Sequence, residues 1–436
     1  MRIAVIGAGA AGLMAAAVAA QRLAAIPGSS GDAPRQVIVF EKNRKAGVKI
    51  LMSGGTRCNL THDCGPAGIM EAFGKGGQFL RQALAALPPS QVVALFHSLG
   101  VPTQIEVTGK IFPSSNRALD VRDALLGYAE RSGAEVRLAT PVRGIVPGAG
   151  GEGIVVSTDE AQEKFDAVIV TVGGKSWPGC GTTGDGYGWL RGLGHTLVPP
   201  RPALVPLVGG EAWMNGLSGL TLDDVTASVW AVPGEGMKRP KKPSLSRRGG
   251  FLFTHFGFSG PTAMDVSGVM TSAERFDQCR LSLDFAPDVT PDQLTRWFEE
   301  QRRESGARRV AAAVTRWLPK RLAESVAEVT GSDQRTMAEL PRAQTVAMVE
   351  AIKNLTLPVT GTRGFDKAEV TAGGVSLKEV DPRTMRSRLV PRLYIAGEIL
   401  DLDGWIGGYN FQSAFSTGFL AGTHAADQVR EAACLT

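Results

Sequence analysis

The chain is poor in cysteine, with five in 436 residues, and poor in histidine, with five; aromatic residues make up only 6%. A small, odd cysteine count in so long a chain excludes a disulfide scaffold. Free thiols in a reducing cytosol are the simplest account, so a cytoplasmic location is expected. His62, His97, His195, His255 and His424 show no metal-ligand spacing with cysteines or carboxylates, and no metal is expected. No uncharged apolar run reaches the length of a membrane-spanning helix, so no membrane partner is expected. Nor is there a large excess of one charge: 47 Lys and Arg stand against 42 Asp and Glu. The small positive surplus is local, in Lys238-Arg239-Pro240-Lys241-Lys242 through Arg247-Arg248 and in Arg302-Arg303 through Arg308-Arg309. No aromatic residues interleave with the lysine-rich run, so it reads as solvated surface and no nucleic-acid partner is expected. Internal repeats and low-complexity tracts are missing too.

What is abundant is glycine, 54 residues. The informative ones come first. A short apolar strand, Ile3-Ala4-Val5-Ile6, runs into Gly7-Ala8-Gly9-Ala10-Ala11-Gly12, and an alanine-rich helix is expected over 13–25. This is the G-x-G-x-x-G turn of a dinucleotide-binding βαβ unit. Gly7 permits the tight turn, Gly9 leaves room for a pyrophosphate, and Gly12 lets helix and strand pack closely. The helix N-terminus then offers free N–H groups to the phosphates. Arg2 before an apolar stretch resembles an export signal, but the glycine spacing and the strand-then-helix pattern argue against export. A second strand, Val37-Ile38-Val39-Phe40, ends at Glu41, where a carboxylate binds the adenosine ribose in such folds. The usual glycine-to-acid interval is about 20 residues; here a polar loop over 27–34 lengthens it. A second G-x-G-x-x-G match, Gly148-Ala149-Gly150-Gly151-Glu152-Gly153, lies between two strand-like runs with no helix after it, and reads as a hairpin loop.

The texture along the chain is α/β to about residue 195. Helices are expected near 77–87, 90–99 and 121–132, and strands near 135–138, 143–146, 154–157 and 167–172. The last ends in Thr171-Val172-Gly173-Gly174, small residues that suit a second approach to the nucleotide. Short strands rich in Gly and Pro follow, then helices over 293–305, 309–318, 320–329 and 342–355, with Thr290-Pro291 as a helix start. α/β texture returns at the end, with a strand at Leu393-Tyr394-Ile395-Ala396-Gly397-Glu398 and a helix over 408–426. The fold class expected is α/β: a nucleotide-binding domain split in sequence, with residues of about 196–365 inserted and the first of them antiparallel β, either a barrel or a sandwich. The family resemblance described below implies that the split domain is a Rossmann-like FAD-binding domain and that the inserts are an antiparallel β-barrel domain and a small helical domain. The first part of the FAD-binding domain spans 1–195 and the first part of the β-barrel-like insert 196–289. The helical insert spans 290–345, the return strand of the β insert 346–365, and the second part of the FAD-binding domain 366–436.

Several motifs together resemble one family almost end to end. They are the 7–12 turn; Lys49-Ile50-Leu51-Met52-Ser53-Gly54-Gly55-Thr56-Arg57-Cys58-Asn59; Gly109-Lys110-Ile111-Phe112-Pro113; Gly173-Gly174-Lys175-Ser176 with Gly181-Thr182-Thr183-Gly184-Asp185-Gly186; Leu252-Phe253-Thr254-His255-Phe256-Gly257-Phe258-Ser259-Gly260-Pro261; Val370-Thr371-Ala372-Gly373-Gly374-Val375; and the stretch from Gly397-Glu398 through Asp403-Gly404 to Gly408-Tyr409-Asn410-Phe411-Gln412. The chain resembles the HI0933-like flavoproteins, the YhiN or BaiN-like NAD(P)/FAD-dependent oxidoreductases, which include aminoacetone oxidase-like members. The resemblance implies an oxidoreductase with FAD as cofactor. It implies FAD contacts from Gly7, Gly9, Ala11 and Gly12 at the diphosphate and Glu41 at the ribose. Lys42, Lys49, Gly54 and Gly55 would line the groove, and Val142 would meet the adenine through its backbone. Gly173, Gly397, Glu398, Asp403, Gly408, Asn410 and Phe411 would complete the site. At Thr56 the family usually has glycine; a β-branched residue disfavours positive φ, so a slightly different loop shape is expected there.

The chemistry expected is hydride transfer between flavin N5 and a small organic substrate, with NADH or NADPH as a transient donor. Cys58, Lys110 and Tyr409 are weak candidates for a catalytic proton donor. Cys58 and Cys64 stand at C-x5-C, not the spacing of disulfide reductases, and Cys58 reads as a packed thiol. Ser259 lacks the strand–turn–helix frame of a nucleophile elbow and reads as a turn. Trp405 and Tyr409 suit either a pocket wall or a core. Two other functions stay open: an FAD-dependent amine oxidase producing hydrogen peroxide, and a flavin-stabilised RNA-binding or RNA-modifying protein using the 238–248 segment. Nothing in the sequence names an oligomeric state.

Overall fold

The computed structural model describes residues 1–26, 35–148, 152–234, 236, 238 and 240–434. The polar loop expected over 27–34, the centre of the glycine-rich hairpin loop (149–151) and Arg239 lie outside the described residues. The chain divides into two compact units, one of residues 1–202 and 369–436 and one of residues 203–368.

The first unit is built on a five-stranded parallel sheet. Its order is Leu393–Ile395, Ala167–Val170, Arg2–Ile6, Gln36–Phe40, Ala134–Arg137. Arg2–Ile6 sits in the middle, and the chain departs from it first to one side and later to the other. The end of this strand is therefore a topological switch point, where open α/β sheets bind ligands. After Arg2 the strand is apolar and buried, because both faces are covered. Alternation sends Ile3 and Val5 to one face and Ala4 and Ile6 to the other. The first pair packs with helix Ala10–Ala24 and the C-terminal helix Tyr409–Cys434, through Leu13, Met14 and Phe415. The second pair packs with a three-stranded antiparallel layer, Val142–Pro147, Ile154–Thr158 and Gln162–Phe165.

The two helices touch through their backbones. A Cβ at Gly418 would lie 2.3 Å from the Ala11 carbonyl oxygen, and one at Gly422 2.3 Å from that of Ala15. Small residues at one-turn intervals permit this approach, and it brings the N-terminal ends of the helices into one region of the unit. A second three-stranded sheet, Thr61–His62, Lys110–Pro113 and Thr103–Ile105, lies in the same unit. The helix expected at 77–87 is a 3-10 turn, Gly74–Leu80, followed by a short α-helix, Arg81–Ala86.

The second unit carries a seven-stranded antiparallel sheet. Its order is Leu355–Leu357, Cys279–Asp284, Thr221–Ala231, Leu245–Thr254, Gly257–Ser259, Leu207–Gly209, Val359–Thr362. The first and last strands in that order are separated in sequence by Pro358 alone. The helix expected over 342–355 is present as Arg342–Asn354, so of the 346–365 segment assigned to the return strand only 355–357 and 359–362 are strand. Thr345, Met348, Val349 and Ile352 recur at helical spacing and are buried, which is the periodicity that marks the helix in the sequence. Helix Pro291–Glu304 starts with a capping box: Gln293 N–H donates to Thr290 Oγ1 (3.2 Å) and Thr290 N–H to Gln293 Oε1 (2.8 Å).

Ser259 is corrected as well. It ends strand Gly257–Ser259 and, after Gly260 at φ +87°, helix Pro261–Ser272 begins, so the strand–turn–helix frame is present. The helix was hidden because its apolar residues do not form a clean stripe. Arg248 of the basic run is bridged by Asp224 and Asp288 at 2.7 and 2.6 Å. Among the described residues, no helix is long and apolar enough to cross a membrane.

Candidate functional site

The turn after Arg2–Ile6 is held by backbone geometry. Gly7 has φ +102°, and its N–H donates to the Phe40 carbonyl at 2.8 Å. A Cβ at Gly12 would lie 1.8 Å from the Gly7 carbonyl oxygen, so only glycine fits. Thr171 Oγ1 donates to the Ile6 and Gly7 carbonyls at 2.9 and 3.0 Å, locking the turn to the neighbouring strand. At Gly9 the situation reverses: an added Cβ would meet nothing within 4 Å. Gly9 caps helix Ala10–Ala24 without a side-chain bond, and the first turn holds no acid. The first turn of this helix therefore points free N–H groups into open space.

Glu41 is buried at the end of the next strand. Its Oε2 accepts Ala8 N–H at 2.9 Å and its Oε1 accepts Asn43 N–H at 2.8 Å. Each oxygen keeps a lone pair for a further donor. Thr140 N–H donates to the Glu41 carbonyl, which sets the start of strand Val142–Pro147 beside it. Lys42 Nζ lies 2.6 Å from both Thr183 Oγ1 and Asp185 Oδ2.

A second group forms around Glu398, in the loop after Leu393–Ile395. Lys49 Nζ donates to Glu398 Oε2 and to Ser176 Oγ, each at 2.5 Å. Ser176 Oγ donates in turn to Glu398 Oε1 (2.6 Å), which also accepts Thr371 N–H (2.9 Å). Thr371 Oγ1 accepts Lys175 and Ser176 N–H. Gly173 (φ +72°) and Gly397 (φ +80°) shape the two loops that meet here. The quoted motifs contain Ser176 and Thr371, but their role was not foreseen; the clue was their place within two glycine-rich segments. Burial pushes the Asp401 and Asp403 carboxyls up, while the charge of Arg201 pulls them back, and the Arg201 Nε finds no hydrogen-bond partner among the described residues.

The C-terminal helix begins after Gly407 (φ +134°) and Gly408 (φ +92°), and its first turn holds no acid. A Cβ at Gly408 would lie 2.5 Å from the Thr61 carbonyl oxygen. The Asn410 side chain is directed back on its own loop: Oδ1 accepts Gly404 N–H and Nδ2 donates to the Gly404 and Trp405 carbonyls. The Phe411 ring packs into the core against Phe415, at 5.9 Å between centroids. Only the backbones of these two residues are left for a ligand.

Gly54 (φ +55°), Gly55 (φ +66°), Thr56 (φ +69°) and Cys58 (φ +61°) form a left-handed loop, and Gly55 borders open space. Thr56 adopts the positive φ that its branched side chain disfavours. The surroundings impose it: the Thr56 carbonyl accepts Ala118 N–H, and Arg57 is tied to Glu106 at 2.7 Å.

Of the three proton-donor candidates, Cys58 is fully buried, and burial pushes its thiol up to about 12 despite a hydrogen bond with Ser53. Cys58, Cys64, Cys180 and Cys279 are free thiols. Lys110 and Tyr409 are brought together around His62, which sequence reading had set aside. Lys110 pairs with His62 across two strands, and the His62 ring stacks on Tyr409 at 4.7 Å and 19°. His62 Nδ1 lies 3.0 Å from the Gly407 carbonyl oxygen. Tyr409 is buried and Trp405 stands edge-on to it.

A family model described as HI0933-like protein Rossmann domain matches residues 1–424. The 3-dehydro-bile acid delta(4,6)-reductase of Clostridium scindens is 33% identical over 98% of this chain and 99% of its own length. The ribosomal RNA dihydrouridine synthases of Escherichia coli and Haemophilus influenzae are 29% and 30% identical, each over 95% of this chain and over 95% and 96% of their own. The chain belongs to the HI0933-like family and is an FAD-dependent oxidoreductase.

Proposed function

We propose that this enzyme saturates a carbon–carbon double bond conjugated to a carbonyl in a small organic substrate, with NADH or NADPH as the electron donor. The observation that carries the reading is the full-length similarity to two kinds of relative whose names describe one chemistry. A 3-dehydro delta(4,6) bile acid is a dienone, and dihydrouridine is uridine with its ring double bond, next to a carbonyl, reduced. The shared step is delivery of a hydride to the far carbon and a proton to the near one.

The residues fit FAD. The open space over Gly9, the free N–H groups of the first turn and the absence of an acid there suit a diphosphate. Glu41 retains acceptor capacity for ribose hydroxyls, and the start of strand Val142–Pro147 lies beside it for an adenine edge. Gly7, Ala11, Gly12, Lys42, Lys49, Gly54, Gly55, Gly173, Gly397, Glu398, Asp403 and Gly408 complete the cradle, with Asn410 and Phe411 contributing backbone. When bound, FAD supplies hydride transfer at N5. The protein's part is placement and charge. The start of the C-terminal helix, opened by Gly407 and Gly408, offers N–H groups and a partial positive charge to a ring that gains electrons. His62, held by Gly407 and Tyr409, is the group best placed to hold a proton at its Nε2 beside Lys110. We read the seven-stranded sheet, whose end strands are one residue apart in sequence, as the inserted β-barrel-like domain, with the helices Pro291–Glu304 to Arg342–Asn354 as its helical partner.

The test is anaerobic stopped-flow spectroscopy. The bound flavin should be bleached by NADH or NADPH and recoloured by a 3-keto-4-ene steroid. A flavin that neither nucleotide bleaches, or that the enone leaves reduced, would overturn the reading. The two synthase relatives favour one second reading, a uracil within RNA as the substrate. Recolouring by a uridine-containing RNA, with no response to the enone, would select it.

A further inference from the structure

Strands Thr103–Ile105 and Lys110–Pro113 are joined by a four-residue turn, Glu106–Gly109. Gly109 N–H donates to the Glu106 carbonyl at 2.8 Å, and Glu106 N–H donates to that of Lys110 at 2.9 Å. Contacts on two sides fix where this turn lies. On one side is the loop of Gly54 and Gly55. A Cβ at Gly54 would lie 3.2 Å from the Phe112 ring, and the Arg57 guanidinium lies 4.0 Å from the centroid of the same ring. Arg57 Nη1 donates in turn to Glu106 Oε1 at 2.7 Å. On the other side is His62. Asp63 N–H donates to the Gly109 carbonyl at 2.7 Å, and a Cβ at Gly109 would lie 2.6 Å from His62 Nε2. The turn therefore bridges the glycine loop of the flavin groove and the imidazole that holds a proton. The end Cα atoms of such a turn stay within about 7 Å of each other, so every residue on it is close to both.

Val107, in this turn, is fully exposed, and Ile105, just before it, is 57% exposed. Single apolar residues on a surface are ordinary; these two differ in being held rigidly beside a site. Ile105 pairs with Ile111, Glu106 is tied to Arg57, and Gly109 to Asp63. Both side chains are β-branched and stiff at χ1. Hydrocarbon fixed in this way gains from being covered and has little freedom to lose. Arg57, the cation that braces the turn, is already neutralised by Glu106. We propose that this turn selects the substrate: Val107 and Ile105 take the hydrocarbon body of a bulky enone while its conjugated double bond is held beside His62. The proposal rests on the enone reading above and deepens it, by giving the apolar part of the substrate two named residues. Neither residue touches the reacting atoms. They decide which enone is held, so their effect belongs in KM rather than in kcat.

The experiment uses the FAD-loaded enzyme with NADH or NADPH and compares two enones that share a reacting group, a 3-keto-4-ene steroid and cyclohex-2-enone. The wild type should favour the steroid. In the double variant Ile105→Ser with Val107→Ser, the ratio of kcat/KM for the steroid to that for cyclohex-2-enone should fall about tenfold or more, through a higher KM for the steroid, since each lost apolar contact in a pocket is worth about that much. Val107→Leu, which keeps the hydrocarbon, should keep the preference. Both side chains are largely uncovered, so the variants should fold; thermal melting and the rate of flavin bleaching check this. A ratio in the double variant within about threefold of the wild-type ratio, whether neither enone is affected or both alike, overturns the proposal and leaves the enone reading standing. So does a wild type that turns over both enones without preferring the steroid. If neither enone recolours the wild-type flavin, the reading under Proposed function falls, and the proposal falls with it.

Discussion

Lys49 and Glu398 are 349 positions apart in sequence, yet the Lys49 Nζ lies 2.5 Å from Glu398 Oε2. The pair ties helix Val48–Met52 to the loop that follows strand Leu393–Ile395 at the other end of the chain. Both side chains are mostly shielded, 25% and 19% exposed. Removing one partner therefore leaves a poorly solvated charge. Lys49→Met should cost about 1–3 kcal/mol of stability, less than a fully buried pair because both side chains keep some water. It should also weaken FAD binding about tenfold or more, equivalent to about 1.4 kcal/mol. Urea unfolding and flavin titration check the two effects separately.

Gly9 and Gly12 share one turn but should fail differently. A Cβ at Gly12 would overlap the Gly7 carbonyl oxygen, so Gly12→Ala must distort the turn and should lower both stability and FAD binding. A Cβ at Gly9 meets no protein atom within 4 Å, and its φ of −85° is open to any residue. Gly9→Ala should therefore melt at or above the wild-type temperature. It should still lose FAD affinity, because the added methyl takes space needed for the diphosphate. A Gly9→Ala protein that binds FAD normally would show that this space is not where the dinucleotide lies.

The cofactor turn was legible in the sequence because its glycines answer to purely local demands: a positive φ at Gly7 and a close approach at Gly12. The parallel sheet was legible for a similar reason, since strands buried on both faces read as unbroken apolar runs. The Lys49–Glu398–Ser176–Thr371 network was not, because its members come from four separate segments and only the tertiary fold brings them together. Strands as short as Thr61–His62 and Thr103–Ile105 carry no measurable periodicity, so the sheet that positions His62 against Tyr409 was also missed. Helix Pro261–Ser272 was missed because its buried residues wrap more than one face. Asn410 and Phe411 lie in the first turn of the C-terminal helix, where the Asn410 side chain bonds back to Gly404 and Trp405 and the Phe411 ring packs on Phe415, contacts that no short-range pattern in the sequence shows.

Thr56 holds a left-handed conformation that costs an ordinary residue about 1–2 kcal/mol, and a β-branched one is less suited still. Glycine would remove that strain and add some unfolded-state entropy. Thr56→Gly should give a net gain of about 0.5–1 kcal/mol, read as a higher urea midpoint. If the midpoint falls, the hydroxyl or the methyl of Thr56 makes a contribution larger than the backbone strain.

Cys58 has no exposed surface, and its thiol is held up at about 12, so it has almost no thiolate near neutral pH. Cys64 is half-exposed, with its thiol raised by burial first and then by Asp63 and Glu71. Ellman's reagent should label Cys64 slowly in the native protein and Cys58 only after denaturation. Prior treatment with a reductant should not change the number of thiols, since neither cysteine is paired. Two additional thiols after reduction would mean that the pair is a redox-active dithiol after all.

His195 supplies one part of the pH dependence of the first unit's stability. The ring is buried, 2% exposed, and its Nε2 lies 2.9 Å from Ser387 Oγ, which also accepts the N–H groups of Leu389 and Val390. Burial lowers the imidazole below its ordinary value of 6.5, with Glu379 pulling the other way. In the folded protein the neutral ring is favoured, whereas the unfolded chain takes up a proton more readily. The unfolded state thus binds more protons as the pH drops, and stability must fall with it. The contribution is intact above 6.5 and is lost progressively as the pH moves below that value toward the lowered folded one. Urea midpoints taken at about pH 7.5 and about pH 5 should therefore differ for the wild type, and the gap should narrow in His195→Gln, which cannot ionise. His424 is lowered by burial in the same direction and remains in the variant, so the gap should shrink without closing. A gap unchanged by the substitution would place the acid sensitivity elsewhere in the unit.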